Sequence, residues 1–152
     1  IKKAKGDFVL IQDADLEYSP TDYAALLYPV REFGSDIIMG SRVLAPKYIR
    51  VHLFWHKFGN AIITLLFNFL FNSTFTDVYC CYLVYRRALV DVNDLRMIGW
   101  EQHAEILAQA IKRAEVVYEV PVSYHGRSYR EGKKIKPHHV IAIFWTIIRE
   151  KF

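Results

Sequence analysis

The chain has 152 residues, of which 53% are hydrophobic, 15% aromatic and 24% charged, with a net charge of +4. This length and composition give one domain with a real core and exclude a disordered chain. The positive charge is uneven: His125, Arg127, Arg130, Lys133, Lys134, Lys136, His138 and His139 gather around a single acid, Glu131. Such a cluster suits an anionic membrane surface or a phosphorylated substrate, and no nucleic-acid motif accompanies it, so no nucleic-acid partner is expected.

In chain order, the apolar run Phe8-Val9-Leu10-Ile11 leads into Gln12-Asp13-Ala14-Asp15-Leu16-Glu17. The run predicts a buried strand of a parallel sheet covered on both faces. Ligands bind such sheets at the carboxyl ends of the strands. Asp13 and Asp15 there suit a hard divalent cation, Mg²⁺ or Mn²⁺, shared with the phosphates of a nucleotide. An EF-hand loop starting at Asp13 is excluded by Tyr18 and Ala24, which stand where Gly and Glu are needed. Glu17 stands where an aspartyl-phosphate phosphatase carries Thr or Val. The spacing alone also fits two ordinary polar residues leaving a strand, so the rest of the chain must decide.

Ser19-Pro20-Thr21-Asp22 predicts a helix start, with Ser19 as cap, Pro20 at the first position and Asp22 in a capping-box-like role. That helix runs to Phe33 and stops at Gly34. A strand over 36–39 leads to the loop Gly40-Ser41-Arg42. An aromatic-rich helix follows over about 51–71 and reads as core rather than substrate groove. Further expectations are a strand over 79–85, a helix over 100–113, a strand over 116–120 closed by Pro121, and a helix over 138–149. Strands alternating with helices predict an α/β fold, divided into a domain of 1–132 and a basic, apolar tail of 133–152. The adjacent Cys80 and Cys81 are expected to be free thiols in a reducing compartment. His52, His56 and His103 read as structural, without partners at metal-ligand spacing. The opening Ile1-Lys2-Lys3 predicts no signal peptide. No transmembrane span is expected, because the most apolar stretch, 61–71, would cover ~16 Å of a roughly 30 Å hydrocarbon layer.

The motifs Gln12-Asp13-Ala14-Asp15-Leu16-Glu17-Tyr18, Gly40-Ser41-Arg42, Thr76-Asp77, Glu119-Val120-Pro121-Val122-Ser123-Tyr124, Gly126-Arg127 and Glu131-Gly132-Lys133-Lys134-Ile135 follow one another in an order that resembles the family 2 glycosyltransferases. Within that family the chain resembles the polyprenyl-phosphate (dolichyl-phosphate-like) hexosyltransferases. The resemblance implies a GT-A fold with a mixed, mostly parallel sheet flanked by helices, of which this chain carries the back half without the front half. It implies metal and diphosphate acids at Asp13 and Asp15, with Glu17 helping to hold the cation. Arg42 and Arg127, with Lys133 and Lys134, are implied as phosphate or acceptor contacts, and Asp77 as an acid facing the reacting sugar, a candidate base. The chain departs from the family at Leu83, where Lys is frequent, at His103, where Glu is frequent, and at Lys136-Pro137-His138-His139, which replaces Trp-x-Asp-Gly.

Elementary chemistry agrees with these residue types. A cation held by Asp13 and Asp15 offsets the charge that builds on a leaving diphosphate. The guanidinium groups of Arg42 and Arg127 bind phosphate oxygens in a fork and stay charged. A lipid phosphate has its second pKa near ~6 and is already an anionic nucleophile, leaving Asp77 a positioning role. A hydroxyl acceptor would instead need Asp77 as a general base. The leading expectation is an inverting, metal-dependent transfer of a hexose from a nucleotide-diphosphate sugar to a polyprenyl phosphate, in the cytoplasm at the inner face of a membrane. The 138–149 helix is expected to lie on that anionic surface or to pack on its own domain. Rival readings are a sugar nucleotidyltransferase, which lacks its Gly-rich triphosphate loop here, and a truncated, non-catalytic membrane-surface module. Residues 1–152 alone are expected not to transfer sugar, and to self-associate through a sheet edge at 8–11.

Overall fold

The structure, a computed structural model, describes residues 1–44, 54–127 and 137–152. Four strands, β1 (Phe8–Ile11), β2 (Ile37–Ser41), β3 (Leu83–Arg86) and β4 (Val117–Pro121), form one sheet in the order β1-β3-β2-β4. β3 runs antiparallel to both of its neighbours, and β2 pairs parallel with β4. β1, β2 and β4 therefore share one direction, as a mostly parallel sheet requires. Because the reversed β3 lies between β1 and β2, however, neighbour pairing is parallel at β2–β4 alone.

β2 is buried along its whole length, which explains its unbroken apolar start Ile37-Ile38-Met39. β1 differs from the expectation of a strand covered on both faces. It is a border strand with every residue half-buried, and its outer edge has no strand partner among the described residues.

The helices are α1 (Tyr23–Phe33), α2 (Phe54–Phe71), α3 (Gln102–Ile111) and α4 (Pro137–Lys151). Ser19 caps a short 3₁₀ turn, Pro20–Asp22, its Oγ accepting from the Thr21 amide at 3.3 Å. Asp22 does not close a capping box. Its carboxylate accepts from the Ser123 amide at 2.7 Å and so ties the α1 entrance to the chain leaving β4. Gly34, at φ 65°, ends α1 in the left-handed conformation that glycine adopts without a steric penalty. β3 begins later than the sequence predicts, because the chain still turns after Asp77, with the Cys80 amide donating to the Asp77 carbonyl. Asn68 closes the far end of α2, donating to the Phe75 carbonyl at 2.7 Å and accepting from the Phe75 amide at 3.0 Å.

One core runs through the molecule, and its fully buried members include Leu26, Phe67, Leu83, Leu107, Ile143 and Ile147. The last two belong to α4. The sequence-derived boundary at 132/133 lies outside the described residues, but α4 itself is no separate tail, because its inner stripe completes the core. It is also latched: Arg149 donates to Glu105 at 2.9 Å, and Glu105 is fully buried, accepting in addition from the Arg96 and Met97 amides. Among the described residues no helix is long and apolar enough to cross a membrane.

Truncating α4 on its inner face should therefore destabilise the whole domain. Ile147→Ala is expected to cost about 2–5 kcal/mol, the usual range for a large-to-small change in a core. The urea transition should shift as a single step by both circular dichroism and tryptophan fluorescence. Early release of α4 with an unshifted main transition would show that the helix is peripheral.

Candidate active site

The reversed β3 brings all four strands to bear on one edge of the sheet. β1, β2 and β4 end there, leading to Asp13 and Asp15, to Arg42, and to Tyr124 and Arg127, while the chain entering β3 supplies Tyr79 and Cys81. Together with Trp100 and His103 these residues line a cavity of about 380 Å³. This is the carboxyl edge at which ligands bind in α/β sheets.

The acids sit on a strained turn. Leu16, between Asp15 and Glu17, has φ 63° and an exposed side chain. A left-handed conformation costs a non-glycine residue about 1–2 kcal/mol, and here it lets both flanking carboxylates face one partner, Arg127. The Arg127 Nη2 meets Asp15 Oδ2 at 2.6 Å, and its Nε meets Glu17 Oε1 at 3.0 Å. The Arg127 amide also donates to Glu17 at 2.7 Å, and the Tyr124 hydroxyl donates to the second Glu17 oxygen at 3.0 Å. Backbone pairing sets this up, because Tyr18 and Tyr124 form a β-bridge and the His125 amide donates to the Glu17 carbonyl. Burial alone would raise the Glu17 pKa, but the bonds from Arg127 and Tyr124 outweigh it and hold the carboxyl below its ordinary value.

A second charged pair lies at the end of β2. The Arg42 Nε and Nη2 reach Asp77 at 2.6 and 2.7 Å, and the Arg42 amide donates to the same carboxylate at 3.1 Å. Asp77 is almost fully buried, at 3% exposure. Glu119 on β4 holds the turn that presents it, accepting from the Thr76 amide at 2.9 Å and the Asp77 amide at 3.2 Å. Ser41 adds a bond to the Thr76 hydroxyl at 2.7 Å. Gly40 is required by packing: a Cβ there would lie 2.9 Å from Tyr82 Cβ and 3.0 Å from both Cys80 Sγ and Val122 Cγ1. The motif Gly40-Ser41-Arg42 is thus a close approach, a brace and a charge in succession.

The sequence-derived site residues separate into groups. Asp13, Asp15, Glu17, Arg42 and Arg127 all line the one cavity. Asp77 lies beneath it, clamped to Arg42. Lys133 and Lys134 lie outside the described residues. Sequence reasoning missed the anchoring role of Glu119, whose one signal was an acid inside the apolar strand Val117–Pro121. His103, read as structural, lines the cavity, and its Nε2 bonds the Val78 carbonyl at 3.0 Å. Burial pushes the His103 pKa down to about 4, so the ring is neutral at pH 7. Cys80 and Cys81 are free. Burial raises both thiols, Cys80 to about 12, which makes them poor nucleophiles.

Among the described residues no three His, Cys, Asp or Glu side chains form a cluster able to hold a metal ion. The oxygen donors Asp13 and Asp15 nevertheless fit Mg²⁺ or Mn²⁺, ions that bind through one or two carboxylates and take further ligands from substrate phosphates and water.

Comparison with known proteins gives these residues a context. The family Glycosyl transferase family 2 matches residues 1–92, more than half of the chain, and the chain belongs to that family. It is 26% identical over 130 residues to the low-salt glycan biosynthesis hexosyltransferase Agl6 of Haloferax volcanii, covering 83% of this chain and 31% of that protein. It is 29% identical over 134 residues to a dolichol-phosphate mannosyltransferase of Pyrococcus furiosus, covering 87% of this chain and 37% of that protein. The chain thus spans about a third of the length of these curated relatives. The crystal structure of glucosyl-3-phosphoglycerate synthase from Mycobacterium tuberculosis, in complex with phosphoglyceric acid, superposes with a TM-score of 0.63 at 15% identity, over 97% of this chain and 50% of that one. That likeness establishes the GT-A fold, of which this chain carries a part.

The Glu17 cluster has a pH signature. Its folded pKa lies below the ordinary 4.5, so its contribution to stability is present above that value and lost as pH falls through the lowered one. The difference in urea midpoint between the wild type and Glu17→Gln should be large at neutral pH and shrink as pH falls below the ordinary carboxylate range. A difference independent of pH would mean that the charge on Glu17 contributes nothing.

Proposed function

We propose that this domain carries the acid-pair side of a catalytic site that transfers a hexose, with inversion, from a nucleotide-diphosphate sugar to a polyprenyl phosphate. The observation that carries this reading is the single cavity in which Asp13, Asp15 and two arginines converge at the strand ends. The two curated relatives, a hexosyltransferase and a dolichol-phosphate mannosyltransferase, support the classes of sugar and acceptor.

Asp13 and Asp15 would hold a divalent cation, which when bound supplies Lewis-acid neutralisation of the leaving diphosphate. Arg127, held by Asp15 and Glu17 in this structure, is a fork-shaped donor already placed beside the acids. It can exchange carboxylate for phosphate oxygens without leaving the cavity. Arg42 offers a second fixed charge, its guanidinium set by Asp77 and lying 5.1 Å from the centre of the Tyr124 ring. A phosphate acceptor arrives already ionised. Asp77, with both oxygens bound to Arg42, then acts by positioning that guanidinium rather than by taking a proton.

Two outcomes test this reading in a protein that also carries the further length seen in the relatives. Asp15→Asn should lower Mn²⁺-dependent transfer by about 10²- to 10³-fold, as loss of one preorganised electrostatic contact does. Circular dichroism should be unchanged. Undiminished turnover would remove Asp15 from the site.

The second outcome separates positioning from proton transfer at Asp77. If Asp77 works through Arg42, then Arg42→Ala, Asp77→Asn and the double variant should be impaired to a similar degree, the non-additivity expected of a contacting pair. Each single change should also cost about 3–5 kcal/mol of stability, because it leaves a buried charge without its partner. A double variant impaired by the product of the single effects would favour an independent base at Asp77 and a hydroxyl acceptor.

A further inference from the structure

The chain leaves β1 through Gln12, and three hydrogen bonds converge on that side chain. Its Oε1 accepts from the Tyr82 hydroxyl at 2.6 Å and from the Tyr23 hydroxyl at 3.1 Å. Its Nε2 donates to the Asp13 carbonyl at 2.6 Å. The chemistry of the partners fixes the way the amide points. Both hydroxyls can donate to Oε1, whereas a reversed amide would set Oε1 against the Asp13 carbonyl, two acceptors with no proton between them. Burial pushes the Tyr82 pKa up to about 12, so at neutral pH this hydroxyl keeps the proton it donates.

The clamp begins where the backbone ladder stops. Ile11 and Leu83 are the end pair of β1 and β3, and Gln12 and Tyr82 stand beside them, joined through side chains instead. Tyr23 is the first residue of α1, so Gln12 ties the exit of β1 to a helix and to the chain entering β3. The two hydroxyls belong to a layer of tyrosine rings. Tyr23, Tyr82, Tyr18 and Tyr124 follow one another with ring centres 5.9, 4.9 and 5.0 Å apart, and the last three are buried. This layer reaches both ends of the acid turn. Tyr23 and Tyr82 hold Gln12 at its start, and Tyr124 holds Glu17 at its close, at 3.0 Å. Between them the Tyr18 hydroxyl is fixed by the Cys81 amide at 3.3 Å. A turn with a leucine in the left-handed region persists only where its surroundings over-determine it, and the tyrosine layer supplies those surroundings.

We propose that Gln12 is a positioning residue of the site: clamped by Tyr23 and Tyr82, it fixes the backbone of Asp13 and so the placement of that carboxylate relative to Asp15, on which affinity for a divalent cation depends. The inference rests on Asp13 and Asp15 being cation ligands, the reading given under Proposed function. Gln12 acts through Asp13 and needs no contact with the ion. Methionine at this position would have similar length, but would leave two hydroxyls without their acceptor and the Asp13 carbonyl without its donor. Glutamate would serve the hydroxyls and repel the carbonyl. Glutamine meets both needs, because its amide carries an acceptor and a donor. Groups that orient a metal ligand in this way are worth about 10- to 100-fold in metal affinity.

The test is titration of the full 152-residue chain with Mn²⁺, followed by loss of the free-ion electron paramagnetic resonance signal. Gln12→Met should raise the Mn²⁺ Kd by about 10- to 100-fold. Tyr23→Phe combined with Tyr82→Phe should raise it to a similar degree. Adding both to Gln12→Met should change little more, because the three residues act as one unit. Ile147→Val loosens the core far from the clamp and should leave the Kd unchanged. An equal rise in Ile147→Val would overturn the proposal, since Gln12 would then act through general stability alone. A wild-type Kd in Gln12→Met, with binding lost in Asp13→Asn, would overturn it too and leave the acids standing as ligands. Should Gln12→Met lose its circular dichroism, Tyr23→Phe, which removes one oxygen atom, carries the test, and an unchanged Kd there would overturn the proposal. A wild-type chain that takes up no Mn²⁺ would overturn the reading of the acids, and the role of Gln12 with it.

Discussion

The buried pair of Arg42 and Asp77 is the contact on which the site geometry depends. Neither side chain could remain in so enclosed a place without the other, because an isolated charge there would cost several kcal/mol. The pair joins the end of β2 to the turn after α2. Glu119, from β4, then fixes that turn by its backbone amides. Three segments distant in sequence are locked together by charge-assisted bonds of well-defined direction. The second cluster, Asp15, Glu17 and Arg127, follows the same logic with more exposure. Arg127 offsets the repulsion between two carboxylates that the Leu16 turn forces to face the same way.

Much of this was legible in the residues. The acids after Phe8-Val9-Leu10-Ile11, the loop Gly40-Ser41-Arg42 and the Gly126-Arg127 pair were recognisable in sequence, and the fold brings them to one edge. Local chemistry also placed Ser19 and Gly34 correctly, because capping depends on neighbours along the chain. What escaped was whatever depends on partners far away. The reversal and insertion of β3 leaves no local trace, since a buried strand reads alike in either direction. Asp22 had the right spacing for a capping box, but the Ser123 amide, about a hundred residues on, is the partner it takes. Glu119 looked like an ordinary polar residue on a strand until the 76–77 turn was seen to sit on it.

The two helices that carry the most aromatic residues were the least decipherable. Hydrophobic periodicity tells a helix with one apolar face from a coil, but in α2 both faces are apolar, and the inner and outer stripes carry the same residue types. Burial decides between them, and it depends on the sheet beneath. Reading that stretch as core was correct for Ile63 and Phe67 and incorrect for Trp55 and Phe69. The same holds for α4, whose Ile143 and Ile147 pack on the domain while Trp145, on the other side of the helix, is exposed.

The latch between Glu105 and Arg149 has a mechanical consequence. Peeling α4 from the domain would strand a fully buried carboxylate and uncover Ile143 and Ile147 at once, so the helix cannot serve as a flap or hinge. The outer surface of α2 and α4 and the acids at the sheet edge are therefore parts of one rigid body. The distance from that surface to the acid pair is therefore set when the chain folds.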